Sequence, residues 1–551
     1  MHAIRDDGGL GNHGDPAQMR HIRTAVGARH YGAVLTVGAA VAILAAGLAI
    51  RLHNLGQYGL NSDEAVYAAQ AAGLGGFTQY SHLFGIFRAH PLLIQLIVSI
   101  LYRLSGVTGL GAREVCVAFG VGLILVTGLV ALTLWGRLAA LIAMLCTALS
   151  PYPISVSRQM LLDGPEAFFV AVSVLFLCLY VRRTNHLFLW GAAFAAGLAF
   201  LSKETAILMV PPVLVFLILA PHVVRRYRDL LIAGGIYLVT IAPYPLAELS
   251  AGKASTGLDY FVWQILRPAN HSLLFYPGLF GTIGWGITAL VIIGTLTAIR
   301  RRTTTEVLLL SLVVMMCGFL ELWPTKGYEY LIPAMAPVML LATSGARTCG
   351  AAFAAVLVRL GRRATGAARA SLAVSVLVAL AAVGSLLFTV SPVLTADATA
   401  AALVGSDSGQ PLPARVTALA GSGGLMAGRP TALWIKAHTL PGSVFLTIGP
   451  TFANVIQFYS LDRALALSVS TNPLHRNPAY AAVKNADLLI RSGAVQYLVY
   501  DAYSAARSVQ FADRILALAH KFNGILVYQY DQHHSSAARP SAVVLIYQVQ
   551  P

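Results

Sequence analysis

The chain has 551 residues, of which 57% are hydrophobic and only 11% charged, where soluble domains run at roughly a quarter charged. So much apolar surface exceeds what a soluble core can hide, which excludes disordered, collagenous and ordinary cytosolic classes. The net charge of +16, from 38 Lys plus Arg against 22 Asp plus Glu, collects between apolar runs, so it reports membrane topology and not a nucleic-acid partner.

In chain order, residues 1–31 form a polar tail with Arg5, Arg20, Arg23 and Arg29 and no cleavage site, expected to be a cytoplasmic segment before an uncleaved anchor. Residues 32–390 carry apolar runs of spanning length at 32–50, 113–134, 138–156, 165–181, 187–201, 206–220, 230–247, 279–298, 306–323, 331–346 and 371–390. The stretch 91–111 is expected to dip in and return, cross twice or lie at the interface, which gives eleven to thirteen helices. Arg137, Arg182–Arg183, Arg225–Arg226–Arg228, Arg300–Arg302 and the group from Arg347 to Arg369 are expected to be cytoplasmic. The alternate loops then face outward: 51–90, the turns at Arg158–Asp163, Lys203–Glu204 and Lys326, and the loop 248–277.

Beyond 390 the apolar runs shorten to strand length. Residues 391–430 read as a Gly-, Ala- and Pro-rich linker and 431–551 as a small extracytoplasmic α/β domain. Strands are expected at 443–449, 464–470, 495–501 and 524–530, with helical stretches at 451–460, 480–492 and 503–521. No glycine-rich nucleotide loop is present. Cys116, Cys146, Cys178, Cys317 and Cys349 have neither disulfide nor zinc spacing.

The strongest chemical signal is LHNLGQYGLNSDEAVYAAQAAGL in the first outward loop. Asp63 and Glu64 stand where Asn61 or Ser62 caps a helix, and acidic residues suit a first turn whether or not they do chemistry. Other outward segments add charge: SRQMLLDGPEAFF brings Arg158 and Asp163, LSKETAILMVPP brings Lys203 and Glu204, FRAHPLL brings Arg88 and His90, and ELWPTKGYEYLIPAMAP brings Lys326, Tyr328, Glu329 and Tyr330. Charges at membrane depth are costly, so several converging on one face mark a polar cavity. Cations beside carboxylates suit an anionic lipid headgroup whose phosphate departs, with a carboxylate as base for an acceptor hydroxyl. In the loop 248–277, Arg267 and His271 read first as parts of an ordinary solvated loop, with contact to the substrate as the alternative.

The order of an Asp-Glu pair, an R-x-x-x-x-D turn from Arg158 to Asp163, the Ser202-Lys203 turn and the K-x-Y-x-Y-L-x-P segment from Lys326 to Pro333 resembles the integral-membrane glycosyltransferases of the GT-C class. Within it the chain looks most like glycosyltransferase family 39, which holds protein O-mannosyltransferases and aminoarabinose transferases. The resemblance covers residues 32–345, and WIKAHTLPGSVFLTIGPTFANVIQFYS is similar to the tails of bacterial members. It implies that Asp63 is the base or acceptor-orienting carboxylate, with Glu64 beside it in the same role. Arg158 and Asp163 would shape the cavity, while Lys203, Lys326 and Tyr328 or Tyr330 would hold a polyprenyl phosphate. The chain departs from the pattern at Arg88 and His90, where many members have a Pro-Pro pair and only Pro91 stands here.

The expectation is therefore a multi-pass enzyme of the plasma (inner) membrane, an inverting glycosyltransferase. It would move a sugar from a polyprenyl-phosphate donor to a cell-envelope lipid, polysaccharide or protein at the outer face. No cofactor is required by the sequence, although Asp63 and Glu64 are of the type that binds a divalent cation. The alternative is a transporter or lipid flippase with an extracytoplasmic binding domain, but the two halves show no matched broken helices. A binding module on an inert anchor would leave the membrane-level charges unexplained.

Overall fold

The computed structural model describes residues 16–56, 59–224, 226–253, 255–267, 269, 273–361, 363–394, 427–532 and 541–551. His271 and most of the expected linker lie outside them. The first nine helices are α1 (Pro16–Leu52), α2 (Ser62–Leu74), α3 (Thr78–Leu83), α4 (Leu93–Ser105), α5 (Gly109–Trp135), α6 (Arg137–Leu149), α7 (Pro151–Ser157), α8 (Asp163–Arg183) and α9 (His186–Ser202).

The expected apolar runs form helices, with fewer of full spanning length than the eleven to thirteen expected. Among the described residues, 7 helices are long and apolar enough to cross a membrane, or 8 if the bent pair α6 and α7 is one span. The apolar runs are helical, but proline and glycine divide several of them. Ser150 and Pro151 separate α6 from α7, which meet at 61°, because proline lacks the N–H that would continue the ladder. Gly284, at φ 104°, parts Phe275–Ile283 from Trp285–Arg301. The 13 residues of α4 extend only about 20 Å at helical rise. α4 lays Ile94, Gln95, Val98, Ser99 and Tyr102 inward and leaves Leu96, Ile100 and Leu104 exposed, so the stretch 91–111 is an amphipathic helix beside α2.

α5 packs against α6 and α8, and α8 against α9. Trp285–Arg301 lies along Met335–Arg359, where Gly294 and Gly345 face one another. A Cβ on either would strike the carbonyl of Leu341 or Leu290, the close approach that small residues allow between membrane helices. Arg182, at the end of α8, donates to the Leu134 carbonyl, and the Arg347 guanidinium lies 5.3 Å from the Trp135 ring. Arg182 and Arg347 thus lie at the end of the bundle reached by the C-terminus of α5.

The C-terminal part is a five-stranded sheet in the order β2-β1-β3-β5-β4, with β1 Val444–Thr447, β2 Arg463–Ala466, β3 Tyr497–Asp501, β4 Ile525–Gln532 and β5 Ser541–Gln548. β1 pairs in parallel with β2 and β3, while β5 runs antiparallel between β3 and β4. Four strands fall where alternation placed them. β5 is additional, as is the helix Gly428–His438, and the expected helix over 503–521 is broken at Ser508. The helix Pro450–Ser460 docks on α2, with Tyr80 and Phe458 rings 5.5 Å apart and the Leu60 N–H donating to the Tyr459 hydroxyl at 2.9 Å. That contact places the sheet at the end of the bundle where α2 begins.

Candidate active site

Helix α2 starts with a reciprocal cap. The Asn61 side chain accepts from the Asp63 and Glu64 N–H groups at 3.0 Å each, and a Glu64 carboxylate oxygen accepts from the Asn61 N–H at 2.9 Å. Successive residues on a helix point about 100° apart, so the neighbouring carboxylates diverge. Glu64 is fully buried, and its oxygens accept from Arg113 Nε and Nη2 at 2.7 Å each and from the Met160 N–H at 2.9 Å. Arg113 donates further to the Leu55 and Gly59 carbonyls at 2.9 Å, pinning the first outer loop to α5.

Asp63 is exposed instead and opens into a polar cleft. Its carboxylate makes no salt bridge and accepts no hydrogen bond among the described residues. Protein encloses it closely enough that desolvation raises its pKa, outweighing the lowering by His90 and Lys203.

The same cleft is lined by Arg88, His90, Asp163, Lys203 and Tyr330, all singled out in the sequence. The loop carrying Arg88 and His90 is held by Gln70, whose side-chain N–H donates to the Ile86 carbonyl at 2.6 Å. His90 Nδ1 lies 2.8 Å from a Glu204 oxygen, and its ring meets those of Tyr67 and Tyr260 edge-on at 5.8 and 5.2 Å. Lys203, which ends α9, is 2.6 Å from Asp163, which starts α8, and its ammonium lies 4.5 Å from the Tyr330 centroid. Arg88 differs from Lys203 in having no salt bridge among the described residues. Its Nη2 donates to the Ala479 carbonyl at 3.3 Å.

Other expected residues sit behind the wall. Arg158 Nη1 donates to the Ile50 carbonyl at 3.1 Å, the Tyr328 hydroxyl donates to Gln159 at 3.1 Å, and Lys326 is buried. None of these three lines the cleft, nor does Glu64. Arg267 packs 4.5 Å from the Trp263 ring. The lining also includes Glu329, one of the outward charges read from the sequence, and Tyr67, Gln70, Tyr260, Asn477, Ala479 and Tyr480, which sequence reasoning did not place there. The latter six carry no charge, which is the signal that marked the others.

A divalent ion shared by Asp63 and Glu64 does not fit this arrangement, because the Glu64 oxygens already accept from Arg113 and two backbone N–H groups. Among the described residues, no group of three or more His, Cys, Asp or Glu side chains is placed to hold a metal.

Residues 89–246 match the family model described as dolichyl-phosphate-mannose-protein mannosyltransferase. No curated protein sequence matches the chain. Among solved structures, ArnT from Cupriavidus metallidurans in the apo state superposes with a TM-score of 0.63 at 16% identity, covering 94% of this chain and 98% of that one. The same protein bound to undecaprenyl phosphate gives 0.60 at 18% identity, covering 93% and 97%. An oligosaccharyltransferase from Archaeoglobus fulgidus, tethered to an acceptor peptide, gives 0.57 at 15% identity, covering 92% and 74%. The chain therefore has the GT-C fold of integral-membrane glycosyltransferases, and residues 89–246 carry the sequence pattern of the dolichyl-phosphate-mannose-protein mannosyltransferase family.

Proposed function

We propose that the protein is a membrane glycosyltransferase that takes a sugar from a polyprenyl-phosphate donor and transfers it, with inversion, to a hydroxyl of a cell-envelope acceptor. The observation that carries this reading is the pairing, in one cleft, of a carboxylate, Asp63, and a cation, Arg88, that form no salt bridge among the described residues. Arg88 and Lys203 bind the donor phosphate and stabilise the charge that grows on it as the bond to the anomeric carbon breaks. Asp63 removes the proton of the acceptor hydroxyl as its oxygen bonds to that carbon from the opposite side. The electron pair of the broken bond leaves with the phosphate, and the configuration inverts in one displacement.

Asp163 fixes Lys203, and Glu204 fixes His90, so the cationic wall is set before the donor enters. The cleft faces outward and the arginine end faces the cytoplasm, in keeping with the excess of positive charge on cytoplasmic ends. The fold and the family pattern support the same reaction class, and the undecaprenyl phosphate bound to the Cupriavidus protein supports a polyprenyl carrier.

The test uses purified protein, a polyprenyl-phosphate sugar labelled at the anomeric carbon and an envelope lipid extract. The product should carry the anomeric configuration opposite to the donor. Retention would overturn the single-displacement mechanism, and no transfer to any envelope fraction would overturn the enzymatic reading. Reporter fusions after residue 365 should read cytoplasmic and those after residue 430 extracytoplasmic; the reverse would place the cleft on the wrong face.

A further inference from the structure

One wall of the cleft, formed by Asn477, Ala479 and Tyr480, comes from the C-terminal domain and not from the membrane helices. Arg88 reaches across to it. Its guanidinium carbon lies 4.9 Å from the centroid of the Tyr480 ring, and its Nη2 donates to the Ala479 carbonyl. A cation over an aromatic face is attracted by the ring quadrupole, more strongly where water is partly excluded.

Tyr480 is itself held. The side-chain amide of Asn454, 1% exposed on the helix Pro450–Ser460, donates to the Tyr480 hydroxyl at 2.8 Å and to Ser62 Oγ at 2.9 Å. Ser62 directly precedes Asp63. A single buried amide thus ties the ring beneath Arg88 to the start of the helix that presents Asp63, although Asn454 and Ser62 are 392 positions apart.

We infer that Tyr480 is a positioning residue through which the C-terminal domain presets Arg88 for the donor phosphate, with Asn454 locking its ring to the turn that carries Asp63. The inference rests on the reading of Arg88 as a phosphate-binding cation. An arginine side chain loses considerable rotamer freedom when it engages a ligand, and a platform that has already restricted it lowers that cost on binding. The domain is then part of the active site, and its docking on α2 makes the cleft competent.

The experiment measures the affinity of the full-length protein in detergent for undecaprenyl phosphate, comparing wild type, Tyr480→Leu, Tyr480→Phe, Arg88→Met and the double variant Arg88→Met with Tyr480→Leu. Tyr480→Leu, which keeps apolar bulk but removes the ring, should weaken binding roughly 3- to 30-fold. Tyr480→Phe should fall between wild type and Tyr480→Leu, because phenyl keeps the face offered to the cation but loses the hydroxyl that Asn454 holds. The double variant should bind no more weakly than Arg88→Met alone, since Tyr480 acts through Arg88.

A Tyr480 that only stabilised the domain would lower the folded fraction and leave the affinity of the folded protein unchanged, which would overturn the inference. Additive losses in the double variant, or a loss in Tyr480→Phe as large as in Tyr480→Leu, would overturn it equally. Should Tyr480→Leu fail to purify, Asn454→Leu carries the same cycle: it should weaken binding in the presence of Arg88 and have no effect in its absence, and an additive effect counts against the inference. Arg88→Met with unchanged affinity would instead contradict the phosphate reading itself, so the two failures are separable.

Discussion

Asp63 and Glu64 are adjacent carboxylates on the first turn of one helix, and their surroundings could hardly differ more. Glu64 is dry and fully occupied, with a guanidinium and two backbone N–H groups directed at its oxygens. Asp63 faces the cleft with no hydrogen bond to its carboxylate among the described residues. The cations repeat the contrast: Lys203 is matched by Asp163, whereas among the described residues Arg88 meets a carbonyl and aromatic faces and no carboxylate. Saturated charges build the cavity, Lys203 among them even as it faces the donor, and the unsaturated ones inside it are left wholly for substrate. Chemistry and architecture are therefore separated by a rotation of about 100° along α2, within a single dipeptide.

Substitutions at the two carboxylates should break in different ways. Asp63→Asn preserves volume and much of the polarity but removes the basicity, so the transfer rate should fall by roughly 10² to 10⁴ while donor affinity survives. Single-turnover kinetics with labelled donor separate the two, and normal turnover would return Asp63 to a helix-capping role. Glu64→Gln leaves Arg113 charged and buried without a counter-charge, which typically costs about 3–5 kcal/mol. The expected result is a lower thermal midpoint and less folded protein in detergent, with the turnover of the surviving fraction unchanged. A catalytic Glu64 would show the opposite pattern.

The cation pair sharpens the same contrast. Arg88→Met removes charge-assisted hydrogen bonds to the donor phosphate, worth about 1.5–3 kcal/mol, and should weaken undecaprenyl phosphate binding accordingly in a stable protein. Lys203→Met also strands Asp163, which is 2% exposed, so instability should accompany any loss of affinity, and Lys203→Arg should restore part of both. A perfectly stable Lys203→Met protein would contradict the account of the Lys203–Asp163 pair.

The smallest effect concerns pH. The enclosed setting raises the Asp63 pKa, and a base works only when deprotonated. Activity should therefore be lost as pH falls through that raised value, and the acid limb of the transfer rate should lie above the usual carboxylate range near 4. Asp63→Glu should shift that limb, and a limb unmoved in Asp63→Glu would assign it to another group.

Much of this site was legible in the sequence because charge is conspicuous in an apolar chain. Arg88, His90, Asp163 and Lys203 each interrupt or bound a hydrophobic run, and each reaches the cleft. What the sequence could not show is direction: Asp63 and Glu64 differ only in which way a capped helix turns them, and Arg113 reads as the polar edge of an apolar run until the fold places it over Glu64. Tyr480 lies in RNPAYAAVKN, where a helix was expected from residue 480 but begins only at Ala486, and it acquires meaning only because the C-terminal domain docks on α2. The sheet was read from four strands, while β5 follows a polar stretch late in the chain and inserts between β3 and β4. Fewer helices reach full spanning length than there are apolar runs, because hydropathy registers a run without registering where it breaks, as at Gly284.

The most direct test of the central claim is the release of free polyprenyl phosphate from a labelled polyprenyl-phosphate sugar, measured side by side for purified wild-type, Asp63→Asn and Glu64→Gln proteins normalised to folded fraction. The account predicts acceptor-dependent release by wild type, release by folded Glu64→Gln at the wild-type rate, and almost none by Asp63→Asn despite bound donor. Equal release by Asp63→Asn and wild type would contradict it.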